Sequence, residues 1–326
     1  SMILVFGDYD ADGATSTALC IRALKMLGHQ RMDYLLPDRV SDGYGVSQNA
    51  AEKIIEHNPD LVITVDTGIA SFSGLQQLAD AGIDVIVTDH HLPADRLPTA
   101  RVIVNPNAFA DAGGKNLAGV GVAFYLMLAV RAALRDRAWF DGSRAEPNMA
   151  ELLDLVALGT VADVVPLDDN NRILVEQGLR RIRAGACRPG LRALLEVAGR
   201  KASRLVAADF GFAVGPRLNA AGRLDDMSLG IECLLSTDRA RARQLAEQLD
   251  ALAGGWTEAF DPVTGLLVDS TFYEGGAWNY SFRLLHDMAR RIEIAGGEQR
   301  FVELLDTFFG FGADPVEHHA LDAGRR

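Results

Sequence analysis

Cysteine is almost missing from this sequence. Cys20, Cys187 and Cys233 are the only three in 326 residues, odd in number, far apart and never in a CxxC. A disulfide framework is therefore excluded, and the three read as buried thiols in a reducing cytoplasm. No apolar run approaches the roughly 18 residues of a membrane span, and no signal-peptide pattern opens the sequence; Ser1-Met2 reads as a tag scar ahead of a strand. The expectation is a cytoplasmic protein with no membrane partner. Basic residues are in the minority, 32 against 44 acidic, for a net charge of −12. That balance argues against a generic nucleic-acid binder, which favours basic surfaces. Carboxylates gathered around bound cations would produce the same balance, and local arginine clusters can still form a positive groove. Internal repeats and low-complexity tracts are also lacking. What remains is 48% hydrophobic, enough for one large core or two domains.

The first part alternates β-rich runs with helical patterns. Strands are expected at Ile3–Phe6, Tyr34–Leu36, Leu61–Val65, Val85–Thr88 and Val102–Val104, with helices at 14–27, 47–57 and 71–81 between them. Continuous Val/Ile runs separated by helices of this length predict an α/β fold: a parallel sheet flanked by helices. A helical region follows, with helices expected at 117–135, 149–161, 188–198 and 228–235, and the run DRARARQLAEQLDALA (238–253) reads as a connector helix. After Gly254-Gly255 aromatics thicken and the βα rhythm stops, leaving an atypical C-terminal tail.

Against that frame, the acids stand out. GDYDADG (7–13) places Asp8, Asp10 and Asp12 on alternate positions directly after the first strand. Uncompensated, three like charges this close repel one another. If the segment stays extended, all three point to one side. LVITVDTG ends another strand in Asp66, and VIVTDHH ends a third in Asp89-His90-His91. Ligands of open α/β sheets bind beyond the carboxyl ends of the strands, so Asp8, Asp10, Asp12, Asp66, His90 and His91 should converge on one edge. Asp163 in LVALGTVADVVPL ends an apolar helix, where a lone charge is costly unless paired or metal-bound. An isolated DxD is weak, being more often a solvated turn, but strand-end acids in several places with an Asp-His-His among them are not easily explained by ion pairs. Arg22, Lys25 and Arg39 are the only nearby cations. Carboxylates and imidazole without thiolate suit Mn²⁺ or Mg²⁺, and two such ions would clamp a phosphoryl group and activate water.

A further motif, FGFAVGPRLNAAGRL (210–224), sets Arg217, Asn219 and Arg223 among small residues. Guanidinium forks fit phosphate oxygens; ion pairs of Arg217 and Arg223 with Asp225 and Asp226 are an equal alternative. LAGVGVAF (117–124) reads as a glycine-lined helix start beside the site or as close helix packing.

Collected together, GDYDADGATSTAL, DGYGVS, TVDTGI, VIVTDHHLP, NLAGVGVAFYLMLA, LLDLVALGTVADVVPLD, NRILVEQGLRRIRAG and GPRLNAAGRLDDMS resemble the RecJ family of single-strand-specific exonucleases, within the DHH phosphoesterase superfamily, from residue 2 to about 253. The resemblance implies a DHH-type catalytic domain at 1–236 and a connector helix at 237–254. It implies a two-Mn²⁺ enzyme (Mg²⁺ as the substitute) that removes nucleotides from a 5′ end of single-stranded DNA in repair and recombination. Single-stranded DNA is the implied partner, with a single-strand-binding protein or a helicase as candidate protein partners. By position, Asp10, Asp12, Asp66, His90 and Asp163 would be metal ligands and Asp8 would lie in or just behind that shell. Asp66 and His91 would be catalytic, His91 contacting the scissile phosphate or acting as acid, and Arg217, Asn219 and Arg223 would hold the DNA backbone or its terminal phosphate. Residues 255–326 do not match the family's second lobe; FDPVTGLL…EGGAWNYSF…HDM (260–309) is instead similar to a fragment of a calcium-dependent α-mannosidase, with Glu274 at an acid position. Two other functions stay open: a phosphodiesterase for short oligonucleotides or cyclic dinucleotides, and a non-catalytic replication scaffold, against which the full set of acids and histidines argues.

Overall fold

A strand forms at each of the five expected places in the computed structural model, which describes residues 1–38, 42–224 and 226–254, although the second starts two residues earlier than expected and stops before Leu36. The strands are β1 (Ile3–Gly7), β2 (Met32–Leu35), β3 (Leu61–Val65), β4 (Asp84–Thr88) and β5 (Val102–Val104). Every pairing is parallel, in the order β2-β1-β3-β4-β5, with Val5 opposite both Tyr34 and Ile63 and Ile63 opposite Ile86. The chain runs from β1 outward to β2 and then returns to the other side of β1 for β3. The strand order thus reverses at β1/β3, which opens a crevice at the carboxyl ends of those two strands. Asp8 follows one of them and Asp66 the other.

The helices that cover the sheet begin with α1 (Ala11–Met26), α2 (Gln48–Glu56) and α3 (Phe72–Asp80). On one face Leu4, Phe6, Val62, Val85 and Val87 pack against Ala50, Ala51 and Ile54 of α2 and Leu75 and Leu78 of α3. The rest of the fold adds α4 (Gly119–Asp136), α5 (Leu153–Ala162), α6 (Asp169–Arg183), α7 (Pro189–Val197), the single turn α8 (Ala207–Asp209), α9 (Gly215–Leu224), α10 (Ser228–Leu235) and α11 (Arg239–Gly254). Every α5 residue from Leu153 to Thr160 is buried, as expected of a helix apolar all round. α5 carries Asp163 at its end. Residues 1–250 form one compact unit. The expected connector is the helix α11, entered through Asp238, whose carboxylate accepts from the Arg241 amide at 2.7 Å.

One local expectation changes and two helices appear that were not expected. The acidic segment does not stay extended: α1 starts at Ala11, so Asp10 is its N-cap, accepting from the Gly13 amide at 2.9 Å, and Asp12 lies in its first turn. Aspartate at an N-cap satisfies an amide that has no helical partner, which outweighs alternation. α6 is not among the expected helices because Gly178 interrupts its pattern; the glycine is needed, since a Cβ there would stand 2.3 Å from the Leu153 carbonyl oxygen. α9 follows a π-helical turn at Phe210–Val214, where Pro216 has no N–H to continue an ordinary ladder. Arg39, Asp225 and the tail 255–326, including Glu274, lie outside the described residues.

Candidate metal centre

The loop between β1 and α1 is the floor of the crevice. Asp8 is buried and accepts the Tyr9 amide at 2.7 Å. Gly13 permits the tight turn that follows, because a Cβ would fall 2.4 Å from the Asp8 carbonyl oxygen. Asp12 is fully enclosed and accepts from the Gly119 amide at 2.6 Å and the Val120 amide at 3.0 Å. The N-cap of α4, Ala118, has no side chain able to cap. Asp12 from another helix fills that role, with its charge at the positive end of the α4 dipole. The glycine-lined helix start therefore does lie beside the acids, and Gly119 is needed there: a Cβ would sit 2.5 Å from Asp66 Oδ1.

Asp66 leaves β3 in the left-handed region, φ 61°, ahead of Gly68 at φ 114°. Aspartate tolerates that conformation better than most residues, and it turns the carboxyl into the crevice. Asp163 ends α5, and Val164 after it takes φ 62°. His90 completes the group. Its Nε2 is 3.2 Å from Asp66 Oδ1, 3.6 Å from Asp163 Oδ2 and 4.0 Å from Asp12 Oδ2. Asp66 Oδ1, Asp163 Oδ2 and His90 Nε2 are all buried without a hydrogen-bond partner. Such atoms are rare in folded proteins and call for an explanation.

Electrostatics sharpen the point. Burial, then the neighbouring acids, pushes the carboxyls up: Asp8 to about 8, Asp12 to about 7, Asp163 to about 9, and Asp66 well above its ordinary value. Burial, then the charge of His91, pulls His90 down to about 4, leaving a neutral imidazole suited to ligation. Among the described residues no lysine or arginine ion-pairs with Asp8, Asp10, Asp12, Asp66 or Asp163. Donor atoms fall within 4.8 Å of one another in three triads: Asp8, Asp10 and Asp66; Asp66, His90 and His91; Asp12, His90 and Asp163. Asp66 and His90 each belong to two of them. Hard oxygen donors with neutral imidazole fit Mn²⁺ or Mg²⁺, and such cations would satisfy the orphaned atoms and cancel the crowded charge.

Asp89, by contrast, is spent on protein hydrogen bonds within its own loop and to the loop after β3. Its carboxylate accepts from the amides of Ile69 (2.9 Å), His90 (2.7 Å) and His91 (3.0 Å), and from His91 Nδ1 (2.8 Å). Burial works to raise its pKa, yet the His91 bonds prevail and hold it below the usual range. In return the Asp89 bond raises the His91 pKa. Asn105 and Asn107 donate to the His91 and His90 carbonyls at 2.9 and 2.6 Å. The Tyr44 ring, half exposed between Gly43 and Gly45, lies 6.2 Å from the rings of His91 and Tyr9. Asp89, the two asparagines and Tyr44 escape a reading of strand ends; the one signal for Asp89 is its place in the Asp-His-His triplet.

The arginine-bearing motif forms α9. Arg217 pairs with Asp250 of α11 at 2.7 Å and donates to the Ala213 carbonyl at 2.6 Å. Its ion pair is thus with a distant acid on another helix, in place of the neighbouring Asp226. Asn219 Oδ1 accepts from the Ala11 amide at 2.7 Å. Arg223 lies on the same helix, with its side chain outside the described residues.

Residues 2–160 match the DHH family, N-terminal domain, the class to which this sheet and its acidic edge point. The RecJ single-stranded-DNA-specific exonucleases of Dickeya dadantii and Escherichia coli K12 are each 60% identical over 77% of this chain, which spans 44% of their length. A solved structure of exonuclease RecJ bound to manganese is 35% identical with a TM-score of 0.69, covering 91% of this chain and 74% of that one. RecJ from Thermus thermophilus in complex with Mn²⁺ matches at the same identity and TM-score over 87% of this chain and 42% of that one. The chain belongs to the RecJ family of DHH proteins. Residues 247–325 match a different model, the glycosyl hydrolase family 92 catalytic domain.

Proposed function

We propose that residues 1–254 are the core of a metal-dependent exonuclease that hydrolyses phosphodiester bonds of single-stranded DNA from a 5′ end. Within it, 1–236 is the catalytic domain, 237–254 a connector and 255–326 a tail foreign to the family's second lobe. The observation that carries the reading is the meeting of Asp66 Oδ1, Asp163 Oδ2 and His90 Nε2, three buried, unpartnered donor atoms. Asp10, Asp12, Asp66, His90 and Asp163 hold two Mn²⁺ ions in this reading, with Mg²⁺ as substitute and Asp8 just behind. Bound there, the ions supply Lewis-acid stabilisation of the phosphoryl charge and a nucleophile at neutral pH.

The chain's own groups do the rest. Asp89 holds His91 as a charged donor able to face the scissile phosphate and protonate the leaving oxygen. Arg217 and Arg223 offer guanidinium groups to the DNA backbone, Arg217 by exchanging Asp250 for phosphate. The Tyr44 ring is a platform for an unpaired base. The setting is the cytoplasm, in repair and recombination, beside a single-strand-binding protein or a helicase.

Incubation with Mn²⁺ and a 5′-phosphorylated single strand labelled at either end tests this. Release of mononucleotides from the 5′ end is expected, reduced at least about 10³-fold in Asp66→Ala with the fold retained. Turnover of a dinucleotide alone would replace the reading with a short-oligonucleotide phosphodiesterase, and an unchanged rate in Asp66→Ala would remove that residue from the site.

A further inference from the structure

The side chain of Asn219 reaches the metal loop, 208 positions away in sequence. Its Oδ1 accepts the amide of Ala11, the residue between Asp10 and Asp12 and the first of α1. The first amides of a helix have no partner within it, so an acceptor supplied from outside fixes where the helix begins. Asp10 serves the Gly13 amide at the same turn. One turn along α9, Gly222 lies so close that a Cβ would fall 1.8 Å from the Tyr9 carbonyl oxygen. Positions 219 and 222 share a helix face; that face therefore rests directly on the backbone of Tyr9 and Ala11, on either side of Asp10. Two elements then hold the acidic loop: the α4 amides grip the Asp12 carboxylate, and α9 grips the main chain.

We infer that Asn219 is a positioning residue for the metal-holding loop 8–12, acting through the Ala11 amide rather than by touching DNA. This rests on the proposed metal reading. It also separates the members of the arginine-bearing motif: the Asn219 and Gly222 face supports the loop, while Arg217 is turned to Asp250 on α11.

The full chain carrying Asn219→Ala is compared with wild type in three measurements. Without metal, hydrogen exchange over residues 8–13 should become faster in the variant while exchange in β3 and α5 stays the same. Calorimetric titration with Mn²⁺ should show affinity about tenfold weaker, near 1.4 kcal/mol. At saturating Mn²⁺, KM for a single-stranded oligonucleotide should not change. Unaltered exchange together with unaltered Mn²⁺ affinity overturns the inference. So does a raised KM with normal Mn²⁺ affinity, which would return Asn219 to direct DNA contact. Should Asn219→Ala fail to fold, Asn219→Ser, a smaller change that draws the side-chain oxygen back from the Ala11 amide, is read by the same three measurements against the same outcomes. Wild-type protein that binds no Mn²⁺ would defeat the metal reading, while the exchange measurement still judges the positioning role separately.

Discussion

At the scale of single residues, the metal centre is a place where stability is given up. Asp163 Oδ2, Asp66 Oδ1 and His90 Nε2 have no protein hydrogen-bond partners, and burial holds Asp163 near 9. A carboxyl whose folded pKa is above its unfolded value opposes folding once pH exceeds the unfolded value. Asp163→Asn, which removes the charge and keeps the shape, is therefore expected to stabilise the metal-free protein at alkaline pH by roughly 1–3 kcal/mol, while Mn²⁺ binding is lost. Urea unfolding near pH 8 checks the first half and a Mn²⁺ titration the second. A variant less stable than wild type would mean that the Asp163 carboxylate has a protein partner after all.

At the scale of elements, the ends of helices set the site. Helix α5 closes with Val164 at a position where glycine is usual, φ 62°, and this valine is 83% exposed. A β-branched residue in the left-handed region costs about 1–2 kcal/mol, and such strain concentrates at functional sites. Val164→Gly should therefore raise the melting temperature by a few degrees, about 1 kcal/mol after the added freedom of the unfolded chain is subtracted. A lower melting temperature would show that the valine packs against something. The same ends explain what could be read from the residues alone. Apolar runs flanked by amphipathic stretches define β1, β3 and β4 because burial leaves little choice of residue, while the edge strands β2 and β5 are only partly covered. The start of α1 was legible only as a helix somewhere after Gly13, because the local hydrogen bond of Asp10 competes with an extended path. α6 and α9 were obscured by glycines whose reason is a neighbouring backbone, Leu153 for Gly178 and Tyr9 for Gly222.

At the scale of the whole molecule, the buried carboxyls of the site set how stability depends on pH. The carboxyls of Asp8, Asp12, Asp66 and Asp163 are raised in the folded state, so between their unfolded and folded values the native protein binds more protons than the unfolded chain. Their contribution to stability is complete below about pH 4 and declines as pH rises through about 7 to 9. Divalent cations bind the deprotonated groups, so their affinity runs the other way. Metal-free protein is expected to melt at a lower temperature near pH 8 than near pH 5.5, and Mn²⁺ to remove the difference; a melting temperature that rises across this range without metal would contradict it. Convergence of strand-end acids at the β1/β3 crevice was legible in the sequence, since parallel topology dictates it. The division of labour within it was not. That Asn219 is spent on Ala11, and the second Asp89 oxygen on the Ile69 amide, depends on separate segments meeting in space, which no local pattern records.

The most direct measurement is anomalous diffraction from crystals of this chain grown with Mn²⁺. Two peaks are expected in the crevice, contacted by the carboxylates of Asp10, Asp12, Asp66 and Asp163 and by His90 Nε2, and both should vanish in Asp66→Ala. Crystals saturated with Mn²⁺ that show no density there, with those side chains bonded to protein groups instead, would contradict it.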